Sequence, residues 1–382
     1  TKPSGDCTTF SLRVKSKARK RKQRRQTDPI TESRMNLFEL TRALIDIPSV
    51  TGDEAEVVRF LSSFLEGLHY HVETQEVEKG RPNIIASIGD APRVVFSTHT
   101  DTVPPHIASS EDEEYIYGRG ACDAKGIIAA QIFAAEQLRA GGNYEVGLLF
   151  VVDEELSSTG ARVANNHPRA ASVLYLINGE PTNNQLGIGS KGTLRVLLKT
   201  EGRAAHSAYP EAGDSAIEKL LDVLSDVRAA AWPTDDFFGE TTCNIGTIAG
   251  GTRPNVIAAE ARAELLFRLT TDAESVKSAL ERVVADRAAA EYVSMTPPMR
   301  MGTVEGFSSG IVRFTTDVPH LRNWGTPMLI GPGSILDAHT SHERVAKTEL
   351  MEAVNLYVGL AETLANRDVE TSVSETLSEV PR

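Results

Sequence analysis

The sequence predicts an α/β fold in which a mostly parallel mixed sheet flanked by helices is interrupted by a smaller α+β block of ferredoxin-like order. Three observations predict it. Short apolar runs of strand length, NIIASI (83–88), RVVFST (93–98), VGLLFVV (146–152) and SVLYLI (172–177), alternate with helical patterns. From TLRVLLKTEG (193–202) the order changes to strand, helix, two strands, helix. After that block PMLIGPGSI (327–335) reads again as a buried strand.

The elements follow in order. NLFELTRALIDI has helical periodicity from Asn36, and SVTGDEAEVVRFLSSFLEGL (49–68) supplies a turn, acidic residues and a second helix. AKGIIAAQIFAAEQLRAGG (124–142) is a helix closed by two glycines. In the inserted block, SAIEKLLDVLSDVRAA (215–230) and AESVKSALERVVADRAA (273–289) read as helices, with CNIGTIAGG (243–251) and AEARAELLFRLT (259–270) as strands. ERVAKTELMEAVNLYVGLAETL (343–364) is a long amphipathic helix. The expected organisation is a basic, disordered leader over 1–34, a catalytic domain in two parts over 35–190 and 299–366, the inserted domain over 191–298, and a disordered polar tail over 367–382.

Composition narrows the function classes. The net charge of −12 conceals an asymmetry, because residues 1–34 carry eleven Lys/Arg against three Asp/Glu. The run RVKSKARKRKQRRQ (13–26) could bind nucleic acid or an anionic membrane, but the acidic remainder continues no basic patch, which argues against nucleic acid as the main partner. No apolar stretch reaches the ~20 residues that span a bilayer, so no membrane is expected. Three scattered cysteines, Cys7, Cys122 and Cys243, form neither a disulfide framework nor a cysteine zinc site, and point to a reducing, cytoplasmic setting.

The chemistry collects at strand ends. The run 146–152 ends in Asp153, Glu154 and Glu155, three adjacent carboxylates that repel one another and resist burial. RVVFST leads to His99 and Asp101, the glycine-rich YGRGACDAKG contains Asp123, SVLYLI leads to Glu180, and GPGSILDAHTSHE supplies His339. In open α/β sheets ligands collect outside the carboxyl ends of the strands, so these groups share one rim. A divalent cation offsets the repulsion, and neutral imidazole with ionised carboxylate is a mixed nitrogen–oxygen donor set. Five candidate ligands exceed the needs of one catalytic zinc, and two metals bridged by a shared carboxylate fit better. His99 and Asp101, two apart on an extended segment, face one way, which lets Asp101 accept the second ring N–H of His99. Of the adjacent pair Glu154 and Glu155, one can ligate while the other serves as a base. A lone HxD or a lone EE after a strand is ordinarily a solvated loop, and the joint pattern carries the argument. His69, His71, His106, His167 and His320 lack such context, and His342 is expected to face solvent.

STHTDTVP, YGRGACDAKG, VVDEELSSTGA, NGEPT, GRAAHSAYP, TRPNVIA and GPGSILDAHTSHE occur in this order. Over about residues 36–365 the chain resembles the dizinc hydrolase family of acetylornithine deacetylase, succinyl-diaminopimelate desuccinylase, aminoacylase and carboxypeptidase G. The resemblance implies two divalent ions, zinc first with cobalt or manganese as alternatives. It implies Asp123 as the bridging ligand, His99 and Glu180 on one metal, Glu155 and His339 on the other, Glu154 as general base, and Asp101 behind His99. It also implies a cis Asp123–Ala124 peptide. The inserted block corresponds to a lid and dimerisation domain, with His206 reaching the substrate carbonyl across a homodimer and Arg253 and Asn255 holding the substrate. The stretch FTTDVPHLRNWGTPMLIGPGSILDAHTSHE is most similar to acetylornithine deacetylases. The expected reaction is hydrolysis of an N-acyl amino acid, N-acetylornithine or an analogue such as acetyl-lysine or acetylcitrulline. Succinyl-diaminopimelate, aminoacylase or dipeptidase activity, and a non-catalytic binding homologue, stand as alternatives.

Overall fold

The computed structural model describes residues 35–378, with side chains to 366, so the expected basic leader and the last four residues lie outside the described residues. The chain divides into two compact units. One is built from the chain through Gly187, Gly302–Ser309 and the chain from His320; the other from Ile188–Met301 and Gly310–Pro319.

The first unit is an α/β layer structure around a six-stranded sheet. Its order is His71–Glu78, Arg81–Ser87, Val146–Val151, Val94–His99, Tyr175–Asn178 and Thr326–Leu329. The last four strands in that order pair in parallel, and the first two form an antiparallel edge. The central strands Val94–His99 and Val146–Val151 are buried along their whole length, as continuous apolar runs require when helices cover both faces. The edge strand His71–Glu78 alternates polar residues and stays largely exposed, so it leaves no apolar run for the sequence to reveal.

Helix Leu37–Asp46 starts on a capping box, with Asn36 accepting from the Phe38 and Glu39 amides and Glu39 returning a bond to the Asn36 amide. Helix Lys125–Ala140 is buried nearly all round, packed against the central strands, Leu37–Asp46 and the last helix. Its AAQ and AAE steps keep it slim enough for that central place, and the Asp123 loop leads directly into its N-terminus. The last helix runs Lys347–Ser378, past Leu364 and into the segment expected to be a disordered tail. No glycine or proline lies between Gly359 and Pro381, so nothing in the backbone chemistry stops it.

The second unit is a four-stranded antiparallel sheet, ordered Thr242–Gly250, Glu260–Leu269, Gly192–Glu201 and Ala289–Thr296, with helices Ala216–Ala229 and Ala273–Val284. Alternation places Leu194, Val196, Leu198, Ala263, Leu265 and Phe267 on the inner face against Leu220, Val223, Val276 and Leu280 of the helices. The second helix stops at Val284 rather than 289, because Ala285 turns to φ 50° and the chain re-enters as the strand from Ala289. The unit also takes in Gly310–Pro319, outside the 191–298 span expected for it. Strand Ser309–Val312 returns beside Leu186–Ser190 in a small three-stranded sheet, with the Lys191 amide donating to the Val312 carbonyl at 3.2 Å.

Candidate metal centre

His99 ends the central strand, paired in register with Val151, so both His99 and the Asp153–Glu155 run leave the sheet side by side. The Thr100 amide donates to the Val151 carbonyl at 2.8 Å and prolongs the pairing past His99. Asp123 arrives on the loop before helix Lys125–Ala140. That loop turns on Gly118 and Gly120, at φ 136° and 91°, backbone conformations that require glycine. The Asp123–Ala124 peptide is cis.

Two donor groups result. His99, Asp123 and Glu180 offer atoms within 4.8 Å of one another, as do Asp123, Glu155 and His339. Asp123 belongs to both and divides its oxygens between them. Oδ1 lies 3.0 Å from His99 Nε2 and Oδ2 lies 3.2 Å from His339 Nε2. His339 Nε2 is also 3.0 Å from Glu155 Oε1. Glu180 and His99 are buried, whereas the His339 side chain is about half exposed, so one group is deep and the other opens outward.

The electrostatics follow from the crowding. Hydrogen bonds to Asp123 and Glu155 push His339 up to about 10. Burial opposes charge on His99, yet its bonds to Asp101 and Asp123, with the charges of Glu154 and Asp123, outweigh burial and hold it well above the ordinary imidazole value. Burial likewise favours neutral Asp123, but the two histidines hold its carboxyl below the usual range. The converging carboxylates thus favour positive charge at this place, either a proton on the imidazoles or a bound cation in its stead. Nitrogen and oxygen donors in two sets sharing a bridging carboxylate fit a pair of divalent cations.

Asp101 does more than the sequence suggested. His99 Nδ1 lies 2.9 Å from the Asp101 backbone carbonyl, while the carboxylate Oδ1 is 3.5 Å away. The carbonyl is therefore the near acceptor, in place of the expected carboxylate, because the Asp101 carboxylate is engaged elsewhere. It accepts the amides of Glu154 and Glu155, each at 3.1 Å, and the Thr51 hydroxyl at 2.9 Å. This buried carboxylate fixes the loop that presents the glutamate pair.

Asp153, the first of the three carboxylates, turns away from the donor groups at φ 68°. Its side chain accepts from Arg81 at 3.0 Å and from Ser157 and Thr159. Arg81 also grips the fully buried Glu54 with two bonds of 2.6 Å. The Asp153–Glu155 cluster of like charges is thereby divided. Asp153 meets a guanidinium, Glu155 meets His339, and Glu154, half-buried, belongs to neither donor group.

The second unit brings its own candidates together. His206 bridges Val256, and the Ser207 amide donates to the Asn255 carbonyl at 3.1 Å, so the His206 loop and the Arg253–Val256 turn lie side by side. His206, Arg253 and Asn255 are all exposed. His342 is exposed, as expected, and His167 pairs with Glu73 at 3.1 Å. Sequence reasoning missed Arg81, Glu54, Arg119 and Glu343. Arg119 and Glu343 stood inside quoted motifs, and burial alone distinguishes them from solvated charges.

The sequence profile described as Peptidase family M20/M25/M40 matches residues 95–363. The chain belongs to this family. A peptidase M20 domain-containing protein of Schizosaccharomyces pombe is 37% identical over 333 residues, covering 84% of this chain and 83% of its own length. A probable carboxypeptidase of Aspergillus terreus is 36% identical over 366 residues, covering 84% of each. Among solved structures, the aminopeptidase PepT of Bacillus cereus superposes with a TM-score of 0.70 at 20% identity, over 86% of this chain and 98% of that one. The YxeP protein of Bacillus subtilis, described as a dinuclear metal binding peptidase of the M20 family, gives 0.62 at 16% identity, over 86% and 97%. The M20 likeness makes the α/β reading the fold of the chain and its class that of a metallopeptidase-type hydrolase.

Proposed function

We propose that this M20 member hydrolyses the amide bond of small peptides ending in a free carboxylate, using two divalent ions. His99, Asp123 and Glu180 would hold one ion, and Asp123, Glu155 and His339 the other. The single observation that carries the reading is Asp123, whose two oxygens face two different histidines at 3.0 and 3.2 Å. The nitrogen–oxygen donor set suits zinc first, with cobalt or manganese as alternatives. Ions in this site would supply Lewis acidity to the scissile carbonyl and acidify a water molecule beside it.

Glu154 is the proton carrier of the reaction. Its carboxylate takes the proton of the attacking water and returns it to the leaving amine. Asp101 accepts the Glu154 and Glu155 amides and so fixes the backbone from which base and ligand leave. On the family resemblance, His206 reaches the carbonyl oxygen across the homodimer, and Arg253 with Asn255 receives the free carboxylate, a group that a guanidinium binds with two parallel bonds.

The carboxypeptidase names of the curated relatives favour peptides over the N-acetylornithine expected from the sequence. N-acetylornithine and its analogues stay as the second substrate class, on the similarity of the GPGSILDAH stretch (331–339). The homodimer belongs to the same proposal. Strand Thr242–Gly250 is a sheet edge with Ile248 exposed, and Leu221 and Ile217 of helix Ala216–Ala229 are exposed in the same unit. Ile248→Asp is expected to shift sedimentation from dimer to monomer. Among the described residues no helix is long and apolar enough to cross a membrane. The cytoplasmic setting rests on the cysteine usage alone.

The test is a hydrolysis panel with metal-loaded protein: dipeptides, tripeptides, N-acetylornithine, acetyl-lysine, acetylcitrulline and succinyl-diaminopimelate. Faster release of C-terminal residues from peptides supports the proposal. Faster deacylation of an acyl amino acid transfers it to the second class, and no hydrolysis of any substrate overturns it.

A further inference from the structure

Two buried charged residues stand next to the centre and belong to neither donor group. Arg119 and Glu343 are 2% and 1% exposed. Arg119 Nη1 donates to Glu343 Oε2 at 2.5 Å. Glu343 Oε1 accepts the amides of Gly120 at 2.9 Å and of Asp123 at 3.2 Å. One buried carboxylate therefore spends both oxygens on the loop that carries the shared ligand.

The chain connectivity gives this contact a direction. Glu343 lies four residues after His339 and opens into the strand Arg344–Ala346. That strand pairs with Tyr115–Tyr117, which opens into the Asp123 loop, in the register Arg344 to Tyr117. The Gly118 amide donates to the Glu343 carbonyl at 3.0 Å and continues the pairing by one step. His339 and Asp123 thus stand at the ends of two arms leaving one strand pair, and the Arg119–Glu343 pair ties the arms together just before they reach the centre. Arg119 is itself anchored, with its amide on the Ile107 carbonyl at 3.0 Å and its Nε on the Pro105 carbonyl at 3.3 Å.

We propose that the Arg119–Glu343 pair is the positioning element of the bridging carboxylate, setting where Asp123 stands between His99 and His339. The inference rests on the metal-centre reading above. A ligand held by a single rotatable side chain can swing toward either neighbour. Fixing the Asp123 amide removes the backbone part of that freedom, which is how groups behind a ligand raise metal affinity. Two ions sharing one carboxylate are more sensitive to this than one, because displacement toward one ion is displacement from the other.

The experiment loads full-length protein with cobalt(II), followed by calorimetry and by the visible absorption of the bound ion, for wild type, Glu343→Gln and Arg119→Met. Gln keeps the shape of Glu343 but cannot satisfy Arg119 and both amides together, since one of its two polar ends is a donor. Wild type is expected to bind two ions. Both variants are expected to fold, to bind cobalt about 10–100-fold more weakly at one or both sites, and to show an altered absorption envelope. In turnover, kcat is expected to fall with KM little changed. A folded Glu343→Gln protein with two wild-type affinities and a wild-type spectrum overturns the positioning role, even if its melting temperature has dropped. Should Arg119→Met fail to fold, Glu343→Gln alone decides. Wild type that binds no metal ions refutes the metal-centre reading instead, so the two failures are distinct.

Discussion

Replacing Arg81 by methionine is expected to cost the first unit about 3–5 kcal/mol, the range for breaking a buried ion pair by removing one partner. The structure supplies the reason. Glu54 has no exposed side-chain surface, and its two oxygens each lie 2.6 Å from an Arg81 nitrogen. Methionine fills much of the arginine volume but leaves that carboxyl dry with only the Gly52 amide, at 3.1 Å, and also strips Asp153 of its guanidinium partner. Lys199 and Glu291 make the control, because their nitrogen and oxygen are also 2.6 Å apart while both side chains are more than half exposed. Water screens that pair, and Lys199→Met is expected to cost no more than about 1 kcal/mol. Equal distances with unequal burial thus separate the two effects. The assay for Arg81→Met is urea unfolding in a Trp232→Phe background, where the buried Trp324 reports the first unit, and for Lys199→Met the same titration in a Trp324→Phe background, where Trp232 reports the second. By heat, the shift for Arg81→Met is expected to be about 6–20 °C, at roughly 2–4 °C per kcal/mol for a unit of this size. A loss under 1 kcal/mol for Arg81→Met would refute the claim that burial makes this pair matter.

Other outcomes follow from the same geometry. Glu154→Gln is expected to lower kcat at least about 100-fold while metal uptake stays at the wild-type level, and Glu155→Gln to lower metal uptake itself; activity and metal content measured on the same samples check both. His320 is pushed down to about 4 by burial and by Arg162 and Arg322, so the unfolded chain takes up its proton first as pH falls. Stability is therefore expected to drop between about pH 6.5 and 4, and His320→Gln to flatten that part of the profile in denaturant titrations at stepped pH. At Gly160 an added Cβ would stand 2.2 Å from the Val152 carbonyl oxygen and 2.7 Å from Asn83 Oδ1. Gly160→Ala is expected to destabilise by about 1–3 kcal/mol in the same urea assay, and an unchanged midpoint would contradict the close approach.

The sequence showed most where burial is continuous. The runs 93–98 and 146–152 have no polar interruption, so their strand character and their ends were legible, and with them His99 and the Asp153–Glu155 cluster. The strand His71–Glu78 was not legible, because an edge strand facing water needs no apolar residues. Candidate ligand types could be named because metals restrict donors to a few side chains. Which carboxylate faces which histidine could not, since that depends on backbone amides. Asp101 shows the difference: spacing suggested its carboxylate behind His99, and folding gave that place to its carbonyl because two loop amides claimed the carboxylate. Arg81, Arg119 and Glu343 escaped notice for a related reason, as a charged residue in a loop looks solvated until the fold encloses it. The end of the last helix was misjudged on polarity, although polarity without glycine or proline does not stop a helix.

The measurement that bears most directly on the centre is anomalous diffraction from crystals soaked in zinc, recorded on both sides of the zinc edge. Two peaks about 3.5–4 Å apart are expected, one beside His99 and Glu180, the other beside Glu155 and His339, with one Asp123 oxygen on each. A single peak, or peaks away from Asp123, would contradict it.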